Sequence, residues 1–199
     1  MSPGSDRPLA SRRSLPSELL LIVTMALAVY LLIAFVAQTV HVLGQSMYPT
    51  LHNDDYLISS KLDYRLHPPQ RGDIVTVRDP YDASKDFIKR VVGLPGETIS
   101  VRAGHVCIDH QRLAEPYVPN LPAWVVGANM APLRLAHDAY FVMGDNRNNS
   151  TDSRAFGPIT RSHIESKAYL RVWPLRTFGP LGPGPRLASA AASGICAAA

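Results

Sequence analysis

Cysteine is nearly absent: Cys107 and Cys196 are the two in 199 residues. That excludes a disulfide framework and a cysteine-rich zinc site. Charge is sparse at 18%, below the usual quarter or so, and 20 basic against 16 acidic residues leave only +4. No dense Lys/Arg block with interleaved aromatics occurs, so nucleic acid is not an expected partner. The seven histidines include no HExxH pair, which leaves zinc-peptidase chemistry without its usual ligands. His105, Cys107 and Asp109 share one strand face, but three candidate ligands in a hairpin make a poor metal site. No metal and no other cofactor is expected. There is also no GxSxG elbow; a Ser–His–Asp triad would need His41, His52 or another histidine brought beside Ser46 by the fold.

Apolar residues, by contrast, are plentiful at 46%, enough for a packed core. The twenty residues from Leu19 to Gln38 are nearly all apolar and carry no charge. At 1.5 Å per residue such a helix crosses the ~30 Å hydrocarbon core. A cleaved secretory signal would have a shorter apolar region followed by a small-x-small site; here Ala34 and Ala37 fall inside the run. The expectation is a single transmembrane helix over 19–38. Arg7, Arg12 and Arg13 precede it, which places a short N-terminus, 1–18, in the cytoplasm and the rest of the chain outside.

Beyond the run, short segments rich in Val, Ile, Tyr and Phe alternate with turn residues. The expected strands are Asp55–Ser59, Asp73–Val77, Phe87–Gly93, Thr98–Arg102, His105–Asp109, Tyr140–Gly144 and Ala168–Trp173, with a hairpin turn at Ala103-Gly104. Arg161–Lys167 reads as a short helix and Tyr117–His137, which carries Trp124, as a loop. The expected class is mainly β: an N-terminal membrane helix followed by an extracytoplasmic β-sheet domain over 39–174. Residues 175–199, rich in Pro, Gly and Ala, read as a disordered tail. With Cys196 in that tail, Cys107 is expected to be an unpaired, buried strand residue.

Three segments could carry chemistry. GQSMYPTL (Gly44–Leu51) puts Ser46 eight residues past the apolar run, near a membrane surface; alone it reads equally as a turn. FIKRVVGLPGE (Phe87–Glu97) sets Lys89 inside an apolar strand. Period-2 alternation leaves open whether Lys89 or Arg90 faces inward, and a buried lysine is costly unless neutral or paired. GDNRNNSTDSRAFG (Gly144–Gly157) holds five Asn/Asp and two Arg, a loop able to satisfy its own polar groups and to aim Ser150 at another group.

In this order, with RGDIVTV (Arg71–Val77) between the first two, the motifs resemble the type I (leader) signal peptidases, Ser–Lys membrane peptidases that cut signal peptides from exported precursors. The resemblance covers roughly Leu19 to Trp173. It implies Ser46 as nucleophile, Lys89 as general base and Ser150 as the residue orienting the lysine. It further implies an oxyanion region at Ser46 and Gly44, and structural support from Gly144, Asp145, Asp152 and Arg154. Asn148 stands where the pattern has Asp. Implied partners are signal-peptide-bearing precursors and membrane lipid; the implied location is the plasma membrane. Rival readings are a self-cleaving Ser–Lys repressor-type protease, disfavoured by the apolar run, and an anchored non-enzymatic β-domain.

Overall fold

The computed structural model describes residues 15–82, 84–119, 129–182, 184–187 and 196. Residues 1–36 and 37–199 form separate units. In the first, α1 spans Leu15–Val36. Among the described residues no helix is long and apolar enough to cross a membrane; within α1 the side chains are described from residue 16 to 30. The sequence placed the end of the span at Gln38, but that residue already belongs to a strand.

The second unit is mainly β. Its strands are β1 (Ala37–His41), β2 (Tyr56–Ser60), β3 (Ile74–Arg78), β4 (Asp86–Gly93), β5 (Thr98–Arg102), β6 (His105–Ile108), β7 (Gln111–Ala114), β8 (Met130–Arg134), β9 (Ala139–Met143), β10 (Ile159–Thr160), β11 (Ile164–Trp173), β12 (Gly179–Pro180) and β13 (Arg186–Leu187). Two helical turns, α2 (Asp63–Leu66) and α3 (Ser153–Phe156), interrupt them. The larger sheet runs β1-β2-β11-β3-β4-β9-β10, with β12 on β11. The smaller runs β13-β7-β6-β5-β8. Every strand pairing among the described residues is antiparallel.

Strand β9 shows why. All five residues of AYFVM are buried: Phe141 and Met143 enter a core shared with Ile99, Val101 and Val106 of the smaller sheet. Tyr140 and Val142 point the other way, into a core with Val75, Val77 and Val91. A strand covered on both faces reads as an unbroken apolar run. The same double cover operates on β4, where Val91 and Val92 divide between those two cores. A third cluster, Val42, Met47, Leu51, Leu57, Ile74 and Ala168, lies under the segment after β1.

Four expectations change. Arg161–Lys167 is not a helix: a single 3-10 turn at Arg161–His163 gives way to β11. Ile164, Ser166 and Ala168 are buried in alternation, and pairing with β2 and β3 outweighs local helix preference. The expected loop Tyr117–His137 contains β8; Trp124 lies outside the described residues. The tail is not structureless over its described residues, since β12 joins β11 and β13 joins β7. Finally, Cys107 is not free: it is disulfide-bonded to Cys196. The Ala103-Gly104 turn does close the β5–β6 hairpin, both residues at positive φ, as the twist of a two-residue hairpin requires.

Candidate active site

The segment bearing Ser46 is pinned from below. Met47 and Leu51, four apart, are buried in the third core cluster, while Tyr48 between them is exposed. Leu51 N–H donates to the Met47 carbonyl at 2.9 Å and Tyr48 N–H to that of Gln45 at 3.1 Å. These bonds wind the chain into one tight turn and leave Ser46 at its upper edge. Gly44, at φ +93°, starts the turn in a conformation that disfavours a side chain. Its N–H donates to Asn53 Oδ1 at 2.7 Å.

Lys89 comes from the middle of β4. Lys89 and Arg90 leave opposite faces of the strand, and both are buried, 3% and 1% exposed. Neither alternative of the periodicity argument wins, because both faces of β4 are covered. Lys89 Nζ donates to Ser46 Oγ at 2.9 Å and to the Ile88 carbonyl at 3.2 Å. Burial lowers the Lys89 pKa to about 8, a shift that Asp152 and Asp145 oppose and Arg154 reinforces. A lysine so depressed holds an appreciable neutral fraction near neutral pH, which is what a general base needs.

The third segment closes over the pair. At Gly144 an ideal Cβ would sit 2.6 Å from Ser150 Cβ, and closer still to the Ser150 hydroxyl and the Ser46 carbonyl oxygen. Only glycine permits that approach. Asn146 N–H donates to the Ser46 carbonyl at 3.0 Å, and its side chain to the Gln45 carbonyl at 3.1 Å. Asp152 accepts from Gly144 N–H at 3.0 Å and from Arg154 Nε and Nη2, each at 2.8 Å. Burial pushes the Asp152 carboxyl up, but Arg154, Gly144 N–H and Ser150 outweigh it and hold the group below its ordinary value. Ser150 Oγ is buried and makes no hydrogen bond to Lys89.

Asp145 is buried and held by Arg90 through two bonds of 2.8 and 2.7 Å, with Thr50 Oγ1 donating at 2.5 Å. A buried carboxylate so paired ties β4, the serine turn and the Gly144 loop into one unit. Arg90, Thr50, Asn53 and Asn146 were missed by sequence reasoning. The only signal for Arg90 was its place in a strand too apolar for an exposed cation. Asn148 is exposed, and the neighbouring Arg147 pairs with Glu115.

Ser46 and Lys89 line a cleft of about 330 Å³ between Gln38–Leu43, from β1 onward, and Asp86–Lys89 of β4. The histidine alternatives are engaged elsewhere. His41 stacks on Tyr56 and bonds Asp54 Oδ1 at 3.1 Å; His52 lies edge-on to Tyr48. In the His105, Cys107, Asp109 set, the cysteine sulfur is committed to Cys196. A serine hydroxyl against a buried, partly neutral amine, under a peptide-sized cleft, can perform nucleophilic acyl transfer.

Comparison with known proteins gives the same direction. Residues 16–173 match the family described as "Signal peptidase, peptidase S26". A "Signal peptidase I" of Leptolyngbya laminosa is 41% identical over 191 residues, covering 90% of this chain and 92% of that protein. A "Probable signal peptidase I-1" of Synechocystis is 41% identical over 170 residues, 82% of this chain and 84% of that one. A solved signal peptidase I from Enterococcus faecalis V583 is 30% identical, covering 51% of this chain and 97% of its own, at a TM-score of 0.44. With a match over most of its length and relatives this similar, the chain belongs to the signal peptidase family, peptidase S26.

Proposed function

We propose that this protein is a membrane-anchored serine endopeptidase that removes N-terminal signal peptides from exported precursors. The observation that carries the reading is the 2.9 Å contact between Ser46 Oγ and a Lys89 amine only 3% exposed. Neutral Lys89 takes the Ser46 proton as Oγ attacks the scissile carbonyl, and the resulting ammonium then protonates the leaving amine. Ser46 N–H donates to the oxyanion; Gly44 N–H, committed to Asn53, does not. Water deprotonated by Lys89 releases the acyl-enzyme. Ser150 orients the lysine when substrate fills the cleft. Met47 and Ile88, which line the cleft, favour small residues on the acyl side, because overpacking is costly.

Membrane attachment is supported by α1. Leu19, Leu20, Ile22, Met25 and Tyr30 are all more than half exposed, and a helix apolar all round needs apolar surroundings. The three N-terminal arginines orient it with residues 1–18 in the cytoplasm. The Cys107–Cys196 bond suits a domain held in an oxidising compartment outside.

Incubation of the purified full-length protein with a signal-bearing precursor tests the reading. Wild type cleaves after a small residue and Ser46→Ala does not; equal cleavage by both overturns it. Removal of residues 1–36, which spares β1, leaves cleavage of soluble peptides intact and slows processing of membrane-inserted precursors. Equal rates on both substrates would contradict the anchor.

A further inference from the structure

The family match ends at residue 173, but the described residues 175–182 and 184–187 beyond it form a strap across both sheets. Strand β12 pairs with β11, Leu170 opposite Pro180, and Leu181 packs on the third core cluster. Pro185 is buried against Gly72, where a Cβ would meet Pro185 Cδ at 2.7 Å. Arg186 and Leu187 then pair with Ala114 and Leu113 of β7. Cys196 bonds Cys107 on β6, across 89 residues of sequence.

Two routes lead from the strap to the loop that seats Ser46. The first runs through Gly72, whose carbonyl accepts from Arg90 Nη1 at 3.0 Å; Arg90 in turn holds Asp145. The second runs through β7. Glu115, the residue after that strand, pairs with Arg147, with Nη1 to Oε2 at 3.0 Å. Arg147 Nε donates to the Gly144 carbonyl at 3.2 Å. Asp145 and Arg147 thus flank Asn146, whose N–H holds the Ser46 carbonyl.

We propose that the segments 175–182 and 184–187, latched by the Cys107–Cys196 disulfide, position the Gly144–Arg147 loop against Ser46, with Glu115 as the positioning residue. The inference rests on the peptidase reading above. Closing the latch removes two protons and two electrons from the Cys107 and Cys196 thiols, taken up by a disulfide oxidant of the exported compartment; a dithiol reductant reverses it. A displaced loop moves the nucleophile while the cleft walls of β1 and β4 keep their places, so the effect falls on kcat more than on KM.

The test uses full-length protein in detergent. Oxidised wild type must cleave and Ser46→Ala must not; failure there falls on the peptidase reading, not on the strap. Alkylation of the unfolded, unreduced protein is expected to label no thiol, and two labelled thiols would overturn the latch. Wild type reduced after folding, Cys196→Ser and Glu115→Gln are each expected to lose about five- to tenfold in kcat, with KM changed less than about twofold. Cys196→Ser combined with Glu115→Gln should lose little more than the worse single variant, because the two act along one route. A reduced wild type and a Cys196→Ser variant with kcat within twofold of the oxidised enzyme would overturn the proposal. So would a loss carried by KM, or losses that multiply in the double variant.

Discussion

Replacing Lys89 by methionine should make the protein more stable while abolishing turnover. The ammonium is 3% exposed, and burial drops its pKa from 10.5 to about 8. At roughly 1.4 kcal/mol per pH unit, that difference amounts to about 3–4 kcal/mol of destabilisation by the charged form. The folded protein holds this proton more weakly than the unfolded chain does. The full cost is therefore present below pH 8 and is relieved as pH rises from about 8 to 10.5. Methionine has similar reach, no charge, and adapts to irregular apolar sites. It forfeits the bonds to Ser46 Oγ and the Ile88 carbonyl, worth about 1 kcal/mol together after their exchange with water. The expected net gain is about 2–3 kcal/mol at pH 6.5, vanishing near pH 10. Urea unfolding of wild type and Lys89→Met at pH 6.5 and pH 10 measures it, beside a peptide-cleavage assay. A Lys89→Met protein less stable than wild type by more than about 1 kcal/mol at pH 6.5 would refute the buried-ammonium argument.

Gly144→Ala forces a methyl onto the Ser46 carbonyl and Ser150; displacing the nucleophile by even ~1 Å costs about a hundredfold in kcat, and a variant within threefold of wild type on the same peptide would contradict the contact. Asp145→Asn strands Arg90, leaving a buried cation short of its partner; stability should fall by about 3–5 kcal/mol in urea, and a loss under 1 kcal/mol would remove that pair from the account.

How far the sequence disclosed this protein depended on how local each signal was. Strands bounded by Gly, Pro or Asp emerged near their final limits, and Thr98–Arg102 coincides with β5. Strand β7 was invisible because the turn before it, Asp109-His110, takes positive φ without a glycine. Strand β11 was half misread because Arg161–Lys167 suits a helix locally and is strand only through distant partners. The serine, the lysine and Gly144 were legible as motifs. Their support was less so: Thr50 reaches Asp145 across 95 residues, and Gly44 depends on an Asn53 side chain nine residues on. Cys107 and Cys196 carry no local sign of each other across 89 residues. Composition alone made the tail look disordered, although part of it completes two sheets.

The central claim is that Ser46 is activated by a neutral Lys89. The most direct measurement is kcat/KM against pH for full-length wild type on a peptide with small residues before the cleavage point, paired with Lys89→Arg. Wild-type kcat/KM should climb tenfold per pH unit below a midpoint set by the free enzyme's lysine, near 8, and level off above it. Arginine keeps its proton at any usable pH, so folded Lys89→Arg should show no more than about a thousandth of wild-type activity. A wild-type profile flat from pH 6 to 10, or near-normal cleavage by Lys89→Arg, would contradict the account.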